Sequence, residues 1–254
     1  MTPRADGESV YVAGFYQLRE YDGATGELLR HEWANGVYSE EVITPPQSVA
    51  RFGDNLLLAS WWYGTIQLWD PTNHKPIKLI ENLDFGPADV IEFEGAIIYT
   101  PVGHRQVKRI DPESNYAAEY VGPYYFWNPV GLAAKGGDLY VSDSDMGIVG
   151  QIAHDGEFMD KPVVVVEGLA GPEGIDFAPD GRLLVVEAKA GRLTAVDLTS
   201  GATATVAEGF GFNTDRAPGM PMQWLLNDVA VGPSGAIYVT GDSPAALYRL
   251  APEE

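Results

Sequence analysis

The apolar positions of this chain fall into short runs that recur. Val10-Tyr11-Val12, Leu56-Leu57-Leu58, Ile97-Ile98-Tyr99, Leu139-Tyr140-Val141, Leu183-Leu184-Val185 and Ile237-Tyr238-Val239 are rich in β-formers and bounded by Gly or Asp. Each predicts a strand. A second phrase follows each run, with apolar residues at its first and fourth places and usually Asp at its fifth. It spans Leu18 to Asp22, Ile66 to Asp70, Val107 to Asp111, Val149 to Ala153, Leu193 to Asp197 and Leu247 to Ala251. A third phrase precedes the runs: Pro46-Gln47-Ser48-Val49, Pro87-Ala88-Asp89-Val90, Pro129-Val130-Gly131-Leu132, Pro172-Glu173-Gly174-Ile175 and Leu226-Asn227-Asp228-Val229. These openings lie 41, 42, 43 and 54 residues apart. No segment carries a 3.6-residue apolar period over three turns. Six copies of about four strands, at ~40–45 residues each, predict an all-β, six-bladed β-propeller. The repeat makes residues 1–254 one domain. Copy one shows no first strand, and copy six ends at Glu254 without a fourth.

Composition fits this architecture and narrows the partners. The chain has 254 residues, 45% of them apolar, which allows a sizeable core. Its 29 Gly and 18 Pro suit a fold that turns several times per copy. Lys and Arg number 16 against 36 Asp and Glu, for a net charge of −20. Phosphate binding needs clustered Lys and Arg, so DNA and RNA are excluded as partners. The same charge disfavours an anionic membrane surface, and no apolar run reaches the ~20 residues needed to span a bilayer. The start, Met1 to Gly7, lacks the apolar stretch of a signal peptide. The expected location is the cytoplasm, or outside the cell with a leader removed. Without Cys, disulfides, thiolate metal sites and a cysteine nucleophile are excluded.

Blade geometry selects candidate site residues. The turn between the second and third strands of a blade lies on the same face as the connection into the next blade. First-strand starts and second-strand ends therefore converge on one mouth of the channel. The first set reads Gln47, Ala88, Val130, Glu173 and Asn227; the second includes Asp143 and Glu187. Alternation along the strand turns Asp89 and Asp228 away from the channel axis. Glu173, Glu187 and Asp143 are candidate general acids or bases, because crowded carboxylates raise one another's pKa. His104, in the turn after Pro101, is a further candidate base. Trp61, Trp62, Tyr124, Tyr125, Trp127, Phe212 and Trp224 map to the same face and suggest a pocket for a largely apolar or planar ligand. Arg216 lies on the insertion that lengthens the last spacing to 54, where it is placed to pair with an anionic group.

The phrase Pro172-Glu173-Gly174-Ile175-Asp176-Phe177-Ala178-Pro179-Asp180-Gly181 with Leu183-Leu184-Val185-Val186 resembles the senescence-marker-protein/gluconolactonase group of six-bladed propellers. Asn227-Asp228-Val229-Ala230-Val231-Gly232-Pro233-Ser234-Gly235 with Ile237-Tyr238-Val239 is similar. The same phrases resemble strictosidine-synthase-like and NHL-repeat propellers. The resemblance covers roughly residues 46 to 250. The first group implies a lactonase- or esterase-type hydrolase with a divalent, calcium-like cation in the channel, held by a Glu, Asn residues and an Asp. Glu173 and Asn227 match that ligand set and Gln47 is placed to join it, whereas Ala88 and Val130 cannot ligate. The second implies a metal-free enzyme in which a channel carboxylate promotes condensation, cyclisation or isomerisation. A third expectation is a ligand-binding propeller without catalysis. In each case the partner is a small molecule.

Overall fold

The computed structural model describes residues 1–4, 6–14, 16–34, 41–83, 86–101, 103–212, 227–243 and 245–250. Six antiparallel meander sheets form the blades of an all-β propeller. Blade 1 contains Thr2–Pro3, Ser9–Gly14, Gln17–Asp22 and Leu28–Trp33. Blade 2 contains Ser48–Phe52, Asn55–Ser60, Thr65–Asp70 and Lys75–Ile80. Blade 3 contains Pro87–Phe93, Ala96–Pro101, Val107–Ile110 and Ala117–Val121. Blade 4 contains Pro129–Lys135, Asp138–Asp143, Ile148–His154 and Glu157–Glu167. Blade 5 contains Pro172–Phe177, Leu183–Glu187, Arg192–Val196 and Thr203–Glu208. Blade 6 contributes Val229–Val231, Ile237–Asp242 and Ala245–Leu250 among the described residues. Helix is limited there to one 3₁₀ turn, Ala188–Ala190.

One expectation is corrected at the start of the chain. Blade 1 does have a first strand: Thr2 and Pro3 pair with Tyr11 and Val10. At two residues it is too short to leave an alternation pattern.

The second strands pack the blades together by a simple rule. The middle residue of each apolar run faces the following blade, and the third faces the preceding one. Leu57 packs with Ile97 and Tyr99 between blades 2 and 3, and Ile98 with Leu139 and Val141 between blades 3 and 4. Tyr140 packs with Leu183 and Val185, and Leu184 with Val239, at the next two junctions. Each buried large apolar side chain contributes roughly 1.5–3 kcal/mol relative to exposure. The alternation that predicted strands thus also builds the junctions.

Polar side chains stitch the innermost strands. The Asp89 amide donates to the Thr100 hydroxyl (3.2 Å), which donates to the carbonyl of Val130 in the next blade (2.7 Å). Gly131 N donates to Ser142 Oγ (2.9 Å), which donates to the Glu173 carbonyl (2.6 Å). These hydroxyls satisfy backbone groups that an exposed sheet edge would leave open.

The recurring Asp of the second phrase opens a turn on the opposite face. Asp22, Asp70, Asp111 and Asp197 each accept turn amides two and three residues ahead. Their carboxyls are held below the usual range. The chief causes are the Thr25 amide at Asp22, the Asn73 side chain at Asp70, the Ser114 amide at Asp111 and the Ser200 amide at Asp197.

Candidate functional site in the central channel

The expected mouth face is present. In blades 1, 2, 4 and 5 the connection leaving the outer strand bonds to the turn between the second and third strands of its own blade. Ala34 N donates to Tyr16 O, Leu83 N to Gly64 O, Leu169 N to Gly147 O and Phe210 N to Gly191 O.

The carboxylates expected there are buried among protein donors. Glu173 has no exposed surface. Its Oε2 accepts the Asn227 amide at 2.8 Å and the Asn227 Nδ2 at 2.9 Å. Asn227 Oδ1 accepts Asp242 N at 3.2 Å. Glu173 Oε2 and the Asn227 side chain are therefore committed to each other and to a loop amide. Among the described residues no group of three or more His, Asp or Glu is gathered to hold a metal ion. With Ala88 and Val130 at the neighbouring strand starts, the ring offers few oxygens to a hard cation, which takes several.

Asp143 accepts four backbone amides, from Trp127 (2.6 Å), Asn128 (2.8 Å), Asp145 (3.0 Å) and Met146 (2.8 Å). Glu187 accepts Ala170 N, the Thr194 hydroxyl and both Nε and Nη2 of Arg192. Burial alone raises the Glu187 carboxyl, but those hydrogen bonds outweigh it and hold the group low. Gln47 Oε1 accepts Trp61 N (2.6 Å). These side chains organise the loops around the mouth.

The remaining candidates spread over the rim. His104 is half-buried, and its amide bonds Pro101 O at 3.2 Å. Tyr124 is 92%, Trp62 59% and Trp127 58% exposed, whereas Trp61 is half-buried. Arg105 stacks over Trp127 at 3.9 Å, and Tyr125 reaches toward Asp160 O. Phe212 stacks on Phe210 and packs against the cluster between blades 5 and 6, so its ring serves the junction. Arg216 and Trp224 lie outside the described residues.

The channel throat is lined instead by Ser48, Asp89, Gly131, Gly174 and Asp228, with Gln47, Ala88 and Thr240 beside them. Asp89 and Asp228 thus face the channel, contrary to the alternation argument. For Asp89 the cause is a β-bulge at the start of the innermost strand, a device that blades 3, 4 and 5 share. In blade 4, Pro129 pairs with Asp143 and Leu132 with Val141, so three steps oppose two. Blade 5 repeats this with Pro172 to Glu187 and Ile175 to Val185. Blade 3 does so between Thr100 and Pro101. The extra residue reverses which side chains look inward. A signal existed in the opening phrase, whose third place is always small or acidic: Ser48, Asp89, Gly131, Gly174, Asp228.

The throat encloses about 40 Å³, room for very little beyond ordered water, and widens below to a cavity of about 400 Å³ that Asp89, Asp176 and Asp228 also line. Asp89 Oδ1 accepts the Ser48 hydroxyl (2.7 Å) and its Oδ2 accepts Leu132 N (2.9 Å). Burial, then the charge of Asp228, pushes the Asp89 carboxyl up to about 6. Asp176 is likewise pushed up to about 6, chiefly by burial. The Met1 ammonium pairs with Asp228.

These shifts set a pH dependence of stability. Asp89 and Asp176 bind protons more tightly folded than unfolded, so their ionisation weakens the fold as pH rises from about 4 through about 6. The turn aspartates act in the opposite sense, and their contribution is lost as pH falls through their depressed folded pKa values, below about 4. The melting temperature is therefore expected to be higher at pH 5 than at pH 7.5, and to fall again in stronger acid. Asp89→Asn should raise it at pH 7.5 and flatten the slope between the two. Scanning calorimetry across this range checks both signs; an unchanged slope in the variant removes Asp89 as a cause.

No family model matches this chain, and no curated protein matches it by sequence. Solved structures do. Hydrazine synthase from Kuenenia stuttgartiensis superposes with a TM-score of 0.68 at 12% identity, covering 98% of this chain and 94% of that one. The WD40 repeats of RRP9 superpose with a TM-score of 0.65 at 14% identity, covering 98% and 78%. At such identities the likeness shows the propeller fold alone.

Proposed function

We propose that this protein is a small-molecule enzyme that works by proton transfer at Asp89, where the throat of its channel opens into the larger cavity. The observation supporting it is a carboxyl group beside a second carboxylate, lining the cavity of about 400 Å³ below the throat, with its pKa moved to about 6. Such a group exchanges a proton near neutrality, where an ordinary Asp is fully ionised. Ionised Asp89 acts as the base that activates water or a carbon acid, and protonated Asp89 as the acid that serves a leaving group. Asp228 sustains the shift by its charge, and the Ser48 hydroxyl orients the carboxyl. Both enzyme readings suggested by sequence resemblance draw on this chemistry: hydrolysis of an ester-like carbonyl, and metal-free condensation, cyclisation or isomerisation. The metal-free form is favoured, because Glu173 Oε2 and the Asn227 side chain are engaged with each other and with Asp242 N. The exposed Trp62, Tyr124 and Trp127 favour a second reading, a ligand-binding propeller without turnover.

The test is a panel of lactones, aryl esters and an arylethylamine with an aldehyde. One class is expected to turn over with a pH profile inflecting near 6, and Asp89→Asn to lower kcat about 100-fold or more. Full turnover in the variant ends the proposal. Saturable binding without turnover of any class transfers the assignment to the binding reading.

A further inference from the structure

The six blades obey one packing rule, and the rule breaks at one junction. The third residue of each apolar run faces the preceding blade. Leu58, Tyr99, Val141, Val185 and Val239 are all fully buried there. Their counterpart Val12, which faces blade 6, is only half-buried and lines a cleft. Among the described residues, seven to twelve buried apolar side chains fill each of the other five junctions. Between blades 6 and 1 there are three: Val10, Ala236 and Tyr238. The remaining space is a cleft of about 260 Å³.

Charge marks the cleft further. Its blade 1 wall carries Arg19, paired across the sheet with Val12. The place that Arg19 occupies in blade 1 is held in blade 2 by Gln67, which is fully buried and bonded to the adjoining connection through Thr44 N and Val42 O. Arg19 has no such partner among the described residues. Among the described residues its polar contact is Nη1 to the Tyr21 hydroxyl at 3.4 Å, with no carboxylate in ion-pair range. A half-buried guanidinium with no counter-ion among the described residues stands out in a chain with 36 acidic residues. Val12, Ala13, Ala246 and Leu247 supply apolar walls beside it.

We infer that this cleft is a binding site for a small amphipathic monocarboxylate. The Arg19 fork and the Tyr21 hydroxyl hold the carboxylate, since guanidinium matches that planar anion in two parallel hydrogen bonds. The apolar walls take a short alkyl or aryl tail. A volume of about 260 Å³ lies just under the range of drug-sized pockets, which limits the ligand to a small acid. Asp242 on the blade 6 wall and the net charge of −20 disfavour multiply charged anions such as phosphate esters. The inference stands apart from proton transfer at Asp89, although Val12, Ala13, Gln47 and Thr240 border both spaces. A ligand in this cleft touches the first and last blades at once, so its binding stabilises the closed ring by mass action.

Octanoate, octanol and octyltrimethylammonium are the probes, titrated calorimetrically into the full chain and scored in parallel by thermal shift. Octanoate is expected to bind with one-to-one saturation and to raise Tm, while the ammonium does neither. Arg19→Gln should weaken octanoate about tenfold or more, the loss of a charge-assisted hydrogen bond, and leave any octanol binding unchanged. Asp89→Asn should weaken octanoate far less than Arg19→Gln does. Ala246→Trp, which fills the cleft, should abolish the effect in a folded protein. Equal octanoate affinity in wild type and Arg19→Gln overturns the inference, as does no saturable binding to wild type at millimolar probe. A loss with Asp89→Asn matching that of Arg19→Gln places the acid in the throat and overturns it too. None of these outcomes depends on turnover, so the fate of the catalytic reading is separate.

Discussion

Gly174→Ala is expected to cost about 3–5 kcal/mol, a large part of the roughly 5–15 kcal/mol that a folded domain commands. A Cβ at 174 meets Asp228 Oδ1 at 2.4 Å, its Cα at 2.5 Å and Val229 N at 2.9 Å. These are largely backbone atoms of the next blade, and no rotamer change removes them. Relief requires the innermost strand of blade 6 to move outward. That movement strains the bond from Gly174 N to Asn227 O and the pair that Glu173 makes with Asn227. Gly131 faces the same constraint, with Glu173 O at 2.3 Å. Gly14→Ala is the control, because its nearest neighbour is a flexible side-chain carbon at 3.5 Å, and it should change stability by under about 1 kcal/mol. Urea unfolding of the two variants separates them. Equal midpoints would show that the inner ring has slack.

The second large effect is at Asp143. Removing its carboxylate strands four loop amides in a site without solvent contact. Unmade bonds to a buried charged group cost well over their net contribution when formed, so Asp143→Ala should lose about 3–5 kcal/mol. Asp143→Asn is the sharper variant. Its amide places one –NH₂ against backbone donors, so it should still lose about 2 kcal/mol. A purely catalytic carboxylate predicts the reverse, a fold of normal stability with lost activity. Denaturant midpoints with near-ultraviolet dichroism of the neighbouring Trp127 decide between them.

Much of the architecture was legible because each physical requirement recurs once per blade. A buried middle strand needs a run such as Leu56-Leu57-Leu58, and the turn after the third strand needs an acceptor such as Asp70. Repetition lifts such signals above any single instance. The mouth face was legible for the same reason. The inward-facing residues were not, because the bulge before Leu132 and Ile175 is a backbone device that strict alternation cannot register. Strict alternation therefore points Glu173 inward and Asp89 away, whereas Asp89 lines the throat. The two-residue strand Thr2–Pro3 lies below the length at which alternation exists. The cleft beside Arg19 is not legible in the sequence, because a missing contact leaves no mark there. It emerges only when Val12 is set beside five buried counterparts.

The thin junction between blades 6 and 1 also bears on how the ring assembles. Each blade is a contiguous meander, so five junctions join near neighbours along the chain and form like the links of a linear array. The sixth must unite Val10 and Tyr21 with Tyr238 and Leu247, more than two hundred residues away, and so carries nearly the whole cost of closing the circle. That clasp holds the smallest apolar cluster among the described residues and the bond from the Tyr238 hydroxyl to Gly23 O. It is expected to close last and open first. Amide exchange under native conditions should accordingly be fastest in the strands flanking it, with the second strands of blades 3 and 4 the slowest to exchange.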